Sequence, residues 1–193
     1  MADRDALGDR RRGLEEEYFH RKEKELIEKM RRHAEQESTR RRLGEQAGVA
    51  SEDILNDLQE LGYTPETVML LHLAPLIQTA WAEGGITPRE RELIIKAARS
   101  RGIDAGSAAD RQLATLLTER PSQEFFEKTL RAIGAILQTQ PPEVREKTAR
   151  DLVALSAAIA SASGGIMGFH AVSDAERQIL AHISEELEKG GKR

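Results

Sequence analysis

Two glycine pairs, each placed between two helical patterns, constrain the fold of this chain more than any other feature. The first lies in AEGGITPRERELI, residues 82–94, and the second lies near the C-terminus at residues 164–165. After the first pair, Thr87 and Glu90 have the spacing of a capping box, with Pro88 at the first helical position. Because glycine ends one helix and the box begins the next, this stretch predicts a tight hairpin of two packed helices.

The second glycine pair opens a near-copy of that hairpin. Aligning the pairs sets Thr87 against Ser173, Glu90 against Glu176 and Ile94 against Leu180, with six extra loop residues, 166–171, in the second copy. The body of the chain is therefore interpreted as two related helix hairpins packed through alanine-rich faces. The glycines are interpreted as turn residues rather than a phosphate cradle, because each pair follows a helix instead of a strand.

Residue usage favours the same architecture. Aromatic residues make up only 4% of the chain, and no alternating β-branched run lies between tight turns. The predicted fold is all-α: a bundle of about seven helices with two pseudo-repeated hairpins, plus a long N-terminal helix. Within the bundle, Ser51 should cap a helix ending at Gly62. Thr64 should open an apolar helix that Pro75 kinks near Leu71. Further helices are predicted at 108–119, 123–138 and 142–163.

Residues 9–42 predict one long helix whose faces are mostly wet. They are rich in Glu, Lys and Arg, contain no proline and have no glycine after Gly13. Pairs such as Glu25–Lys29 and Glu28–Arg32 should support the helix. The expected division is therefore a charged N-terminal arm, residues 1–44, and a helical domain, residues 45–193.

A thin apolar line follows this arm, formed by Leu14, Tyr18, Phe19, Leu26, Ile27 and Met30. It is too narrow for a core, but its spacing is that of an amphipathic helix that docks into a groove, and aromatic side chains are common hot spots. Two interpretations stay open. One is a solvated helix that lies on the body or self-associates into a homo-oligomer, and the other is an arm that binds a protein partner.

Charge and composition exclude several functional classes. The net charge is −4, without the one-signed basic face of a nucleic-acid binder. No apolar run reaches the roughly 18 residues of a membrane span, and the N-terminus lacks the apolar segment of a secretory signal. Cysteine is absent, which excludes disulfides and thiolate chemistry. A bacterial cytoplasmic protein is predicted.

No pattern of catalytic residues stands out. The five histidines are His20, His33, His72, His170 and His182, and no His-x-x-x-His or Glu-x-x-His pair among them offers a metal-ligand face. Among them only His170 lies in a glycine-bearing loop, where it could do chemistry or bind a partner. Nucleophile-elbow and P-loop motifs are also missing. The sequence therefore predicts a chain that is not an enzyme and needs no cofactor.

The two hairpin stretches, AEGGITPRERELI and ASGGIMGFHAVSDAERQIL, resemble the turn of TerB-like (tellurite-resistance TerB) helical domains. In that family an acidic, glycine-containing turn and an aliphatic residue precede Ser/Thr-x-x-Glu-Arg, which opens the next helix. The similarity covers about Leu58 to Leu187. It implies a non-enzymatic protein-interaction or regulatory module connected with stress.

The same resemblance implies an alternative function, a stress protein that binds divalent cations. Its candidate ligands are Glu83, Glu90, Asp174 and Glu176. The loop aspartate of the family is replaced by Glu83 in the first copy and by Ser163 in the second. Hard cations need several converging oxygen ligands, and helix capping explains Glu90 and Glu176 without a metal.

The arm carries a second resemblance. DRRRGLEEEYFHRKEKEL, residues 9–26, is similar to the start of the zeta-type inhibitor of the bacterial rotary ATP synthase. The shared positions are Asp9, Arg10, Leu14, Glu15, Tyr18 and His20, followed by the pair Arg31-Arg32. The apolar Leu-Leu-Gly-Leu-Trp segment of that family is replaced here by HAEQESTRRRLGEQAG. This resemblance implies the alternative of an ATP synthase inhibitor acting through its N-terminal helix.

Overall fold

All regular secondary structure in the part of the chain that the structure describes is helical. The computed structural model describes the backbone of residues 2–163 and 172–189, and the side chains of residues 17–162 and 172–188. These ranges hold eight α-helices and one 3₁₀-helix. They are α1 Ala2–Ala47, α2 Glu52–Glu60, the 3₁₀-helix Val68–Leu73, α3 Ala74–Ala80, α4 Pro88–Ser100, α5 Ala108–Leu116, α6 Gln123–Gln138, α7 Pro142–Ser163 and α8 Asp174–Lys189. The predicted all-α bundle with a long N-terminal helix is confirmed.

Capping side chains fix where the central helices begin. The Thr87 hydroxyl accepts a hydrogen bond from the Glu90 backbone N–H, and the Thr87 backbone N–H donates to the Glu90 carboxylate, so the predicted capping box is formed. The Ser107 and Ser122 hydroxyls cap α5 and α6 by accepting hydrogen bonds from the backbone N–H groups of Asp110 and Phe125. Because these caps satisfy backbone donors that the first helical turn leaves unpaired, they set the helix starts with little ambiguity.

The predicted α-helix beginning at Thr64, with a kink at Pro75, is wrong. Residues 65–67 form a turn, residues 68–73 form a 3₁₀-helix, and Pro75 lies in the first turn of α3. Proline has no backbone N–H and crowds the preceding turn, so it fits the start of a helix better than its interior. The chain therefore restarts the helix at Ala74 instead of bending a continuous one.

Three helices end in the same way, on a glycine in the left-handed region. These glycines are Gly48, Gly62 and Gly102. The residue after each one donates a hydrogen bond back to the last helical turn: Val49 to the Gly44 carbonyl, Tyr63 to that of Leu58, and Ile103 to that of Ala98. This is the Schellman arrangement. Since Val49, Tyr63 and Ile103 are all buried, each helix end also anchors the following chain in the core.

The arm boundary predicted at residue 44 is not a helix end, because α1 continues to Ala47. A Cβ atom at residue 44 would lie 2.8 Å from the Val49 carbonyl oxygen and 3.3 Å from the Leu55 side chain. Glycine is therefore present for close backbone approach and not as a helix breaker. The predicted domain division at residue 44 consequently falls inside a helix.

The helices group into two units, Met1–Arg41 and Arg42–Arg193. In the second unit, α3 packs against α4, α6, α7 and α8, α2 packs on α6, and α5 packs on the 3₁₀-helix. The two hairpins, α3–α4 and α7–α8, thus meet through α3 and α7. Nearly all of α3 is buried, which places the core of the second unit around it.

No helix in the described residues is both long enough and apolar enough to cross a membrane.

Candidate functional site

The predicted apolar line is present on α1, and we call Phe19, Leu26, Ile27 and Met30, with Tyr18 at their edge, the α1 stripe. Their exposed fractions are 49% for Tyr18, 68% for Phe19, 58% for Leu26, 56% for Ile27 and 64% for Met30. Intervals of seven and four residues bring Phe19, Leu26 and Met30 to one side of the helix. Leu14 belongs to the same helix, but its side chain lies outside the described residues.

This stripe accounts for most of the exposed large apolar side chains. Across the residues whose side chains are described, seven such side chains are exposed, and five of them lie within the thirteen residues from Tyr18 to Met30. The other two, Met69 and Val144, are far apart in the sequence. Single exposed apolar residues are ordinary on protein surfaces, whereas a concentrated group indicates an interaction surface.

Tyr18 is the best covered member of the α1 stripe because its neighbours lie over its ring. The Arg21 guanidinium is 5.7 Å from the ring centroid and the Lys22 ammonium is 5.9 Å away. The Phe19 ring meets it edge-on, with centroids 6.0 Å apart. Cations over an aromatic face are attracted by its negative charge distribution, so the ring is held in place along the helix.

Solvent-exposed ion pairs lie along α1. Arg32 pairs with Glu28 at 3.0 Å, as predicted, but Glu25 pairs with Lys22 at 2.9 Å instead of with Lys29. The hydrogen bond from Lys22 holds the pKa of the Glu25 carboxyl below its usual range and raises the pKa of Lys22 itself. These pairs are exposed, so they contribute little to stability.

The second candidate site is formed by the two capping glutamates of the hairpins. The Ser173 backbone N–H donates to the Glu176 carboxylate at 2.8 Å, and the Glu176 N–H donates to the Ser173 hydroxyl at 3.2 Å. The corresponding distances between Thr87 and Glu90 are 2.7 and 3.2 Å. The internal repeat therefore reproduces the capping box in the second hairpin.

Both capping glutamates are buried, which is unusual for carboxylates. Burial raises the pKa of Glu90, hydrogen bonds from Thr87 oppose this, and the negative charges of Glu176 and Glu83 raise it further. The structure thus brings two of the other predicted metal ligands, Glu83 and Glu176, into electrostatic range of Glu90. The repeat was visible in the sequence, but the approach of its two glutamates depends on how the hairpins pack.

The fourth predicted ligand does not join them. Asp174 is exposed and lies 3.6 Å from Arg177. Within the described residues, no group of three or more His, Asp or Glu side chains is arranged to hold a metal ion. The two boxes also use a carboxylate oxygen of Glu90 and of Glu176 to accept a backbone N–H. Cation binding at these residues stays a prediction.

Apart from their matching capping boxes, the two hairpin copies differ. Ile94 is completely buried in the first copy, whereas Leu180 is half-buried in the second. Arg91 donates to the Leu117 carbonyl at the end of α5, but Arg177 donates to the nearby Val172 carbonyl. The second glycine pair and the inserted residues 166–171, which include His170, lie outside the described residues.

The four described histidines occupy different environments. His20 and His33 are exposed on α1. His72 is half-buried, and its pKa is lowered by burial and by the charge of Arg101. His182 is half-buried at a groove of about 320 Å³ between α3, α6 and α8, which Trp81 and Phe126 also line. Sequence reasoning missed this groove, because its residues come from distant parts of the chain.

Comparisons with protein-family models, with curated proteins and with solved structures found no match for this chain. The TerB-like and zeta-type resemblances therefore stay predictions. The features that bear on function are the α1 stripe and the paired capping glutamates.

Proposed function

We propose that this chain is a non-enzymatic protein-interaction module in which α1 is the docking helix. The observation that carries the proposal is the concentration of five exposed apolar side chains between Tyr18 and Met30. An amphipathic helix presents such residues at intervals of three, four and seven when it binds a groove or another helix. Removing them from water supplies the association energy, and aromatic residues are frequent hot spots.

The second unit would act as the scaffold that carries this helix. Its two hairpins begin their second helices with matching capping boxes, at Thr87 with Glu90 and at Ser173 with Glu176. This repetition supports the proposal that the scaffold is a TerB-like domain. A regulatory, stress-related role is proposed from the same resemblance.

The proposal is tested by using the full chain as bait in lysate from its native host. Proteins bound by the parent should be lost when Phe19 and Leu26 are both replaced by alanine, since truncating a hot spot costs about 2 kcal/mol or more. Val144→Ala is the matched control, because Val144 is an exposed apolar residue outside α1. If the Phe19 and Leu26 variant retains every partner of the parent, α1 is not the docking helix.

A second candidate function is inhibition of a rotary ATP synthase by α1. Two observations favour it: the segment similar to zeta-type inhibitors is helical throughout residues 9–26, and Tyr18 and Phe19 within it are exposed. The same bait experiment separates the candidates. Recovery of ATP synthase subunits by the parent but not by the Phe19 and Leu26 variant would favour the inhibitor.

A further inference from the structure

We propose that the α1 stripe binds the α1 stripe of a second copy of this chain, with the two helices antiparallel. The inference rests on the proposed function, since it names the partner of the same helix. It is carried by a coincidence along α1 between the distribution of charge and the position of the exposed apolar side chains.

The charge of α1 changes sign near its middle. Residues 15–28 contain three Lys or Arg against six Glu, a net charge of −3, and residues 29–42 contain six Lys or Arg against two Glu, a net charge of +4. An antiparallel pair sets each acidic half against the basic half of the other copy. A parallel pair would set like charges together, which is unfavourable.

The apolar side chains lie at the centre of this charge pattern. The sign changes between Glu28 and Lys29, and Leu26, Ile27 and Met30 surround that point. In an antiparallel pair with two-fold symmetry, a residue near the axis meets its own counterpart. The three exposed side chains would therefore cover those of the second copy while the two charged halves face their complements.

The remaining large member of the stripe also fits this arrangement. Phe19 lies about nine residues before the centre, so it would meet the second copy about nine residues after the centre, near Ser38. Ala34 and Ser38 are exposed, small and one helical turn apart, which leaves room for the ring. Tyr18, whose ring is already flanked by Arg21 and Lys22, would lie at the edge of the interface.

The paired segment would span 28 residues, but its exposed large apolar side chains lie only between Tyr18 and Met30. Its apolar residues are few, so attraction between the charged halves supplies a large share of the association. Exposed charge pairs are screened by salt. The dimer should therefore be favoured at low ionic strength and should dissociate as salt is added.

The first test measures the mass of the full chain by sedimentation equilibrium at low and high salt. The parent should be a dimer at low salt. One variant, Glu17→Lys with Glu23→Lys and Glu28→Lys, makes both halves basic, and another, Lys29→Glu with Arg31→Glu and Arg32→Glu, makes both halves acidic. Each variant by itself should be monomeric, whereas an equimolar mixture of the two should form a dimer.

The second test determines orientation and uses the absence of cysteine from the chain. Glu17→Cys and Thr39→Cys variants are mixed and treated with a short thiol crosslinker. An antiparallel pair crosslinks residue 17 of one copy to residue 39 of the other, whereas neither variant crosslinks to itself. Self-crosslinking of Glu17→Cys, or a mixture without crosslinks, would overturn the antiparallel arrangement.

Circular dichroism and thermal melting of each variant at high salt, where the parent is also expected to be monomeric, provide the control, and both should match the parent. A parent chain that is monomeric at every salt and protein concentration would overturn the inference, as would a mixture of charge variants that stays monomeric. Neither result would overturn the docking role of α1. That role fails only if the Phe19 and Leu26 variant retains every protein that the parent binds.

Discussion

Leu26 and Leu58 are both leucines in helices rich in charged residues, yet their surroundings are opposite. Leu26 is exposed on α1, whereas Leu58 on α2 has no exposed surface and lies in the core with Leu55 and Leu43. The difference lies in what each unit can supply. The second unit provides seven α-helices for mutual burial, but the first unit is a single helix, and one helix has nothing of its own to cover an apolar stripe.

The comparison shows that burial of an apolar helix face is favourable, but that the sequence of the helix alone does not determine which surface covers it. In the described residues of the second unit, most large apolar side chains are buried in one core cluster. In residues 1–41 the apolar side chains from Tyr18 to Met30 remain exposed. Substitutions in the two units should therefore be detected by different measurements, which are stability for the second and association for the first.

The largest expected effect separates the two leucines directly. Leu58→Ala should lower the free energy of unfolding by about 2–5 kcal/mol, because it removes a fully buried side chain and leaves a cavity. Leu26→Ala should change it by no more than about 0.5 kcal/mol, as for other exposed sites. Urea unfolding of the full chain measures both. Comparable losses for the two variants would break the comparison.

Gly44 lies just inside the second unit and should behave as a core residue. Gly44→Ala would gain about 1 kcal/mol in helix propensity, but its Cβ would lie 2.8 Å from the Val49 carbonyl oxygen. Because that oxygen belongs to the backbone, we expect overpacking to dominate and to cost about 1–3 kcal/mol in the same unfolding experiment. Gln46→Ala, at an exposed position of the same turn, is the control and should be nearly neutral.

Truncation of α1 tests where the boundary between the two units lies. Deleting residues 1–33 should leave the melting temperature of the rest almost unchanged, because it retains Arg42, which pairs with Glu66 at 2.7 Å, and the buried Leu43. Deleting residues 1–42 removes that ion pair and leaves Leu43 at the chain end, so its melting temperature should be lower. Aggregation or early melting of the shorter deletion would show that residues 1–33 help to fold the body.

The smallest effect concerns charge. In the folded chain the pKa of Glu90 is raised, chiefly by burial. At pH values between the unfolded and the folded pKa, the folded state therefore binds a proton that the unfolded state releases. The associated stabilisation is complete below the unfolded pKa of about 4.3 and is lost as the pH rises through the folded pKa. Glu90→Gln should therefore raise the melting temperature relative to the parent near pH 7, and the difference should shrink towards pH 4.

Glutamine suits this test because its side-chain oxygen can still accept the Thr87 N–H. Glu23→Gln on α1, where the side chain is exposed, is the matched control and should leave the melting temperature nearly unchanged. A second comparison uses Glu176→Gln, since the repulsion between Glu90 and Glu176 is shared. The double variant should gain less than the sum of the single ones. Full additivity would mean that the two carboxylates act independently.

The parts of the fold that were predictable are those set by local chemistry. Thr87, Ser107 and Ser122 begin helices through hydrogen bonds to residues three positions on, so their effect can be derived from the sequence. The apolar run before Pro75 gave no such signal, because it lacks periodicity, and its 3₁₀ conformation was missed. The arm boundary predicted at Gly44 lies inside α1, because the contact that requires glycine there, with the Val49 carbonyl, forms only when the chain folds back.

The candidate sites divide in the same manner. The α1 stripe could be derived from spacing alone, since it lies on one continuous helix. The electrostatic approach of Glu90 to Glu176 could not, because it depends on the packing of two hairpins separated by most of the second unit. The groove beside His182 was likewise invisible, as its lining comes from three helices.

The shared form of the three helix ends has a consequence for local opening. Val49, Tyr63 and Ile103 lie outside the helices, where amide protons usually exchange quickly with solvent. Each of these amides instead donates to a carbonyl of the preceding helix, and each side chain is buried. Exchange therefore requires the helix end and the core contact to open together. The backbone amide protons of these three residues should exchange with deuterium as slowly as those inside the helices. The connections that follow these helices would then resist local unfolding as strongly as the helices do.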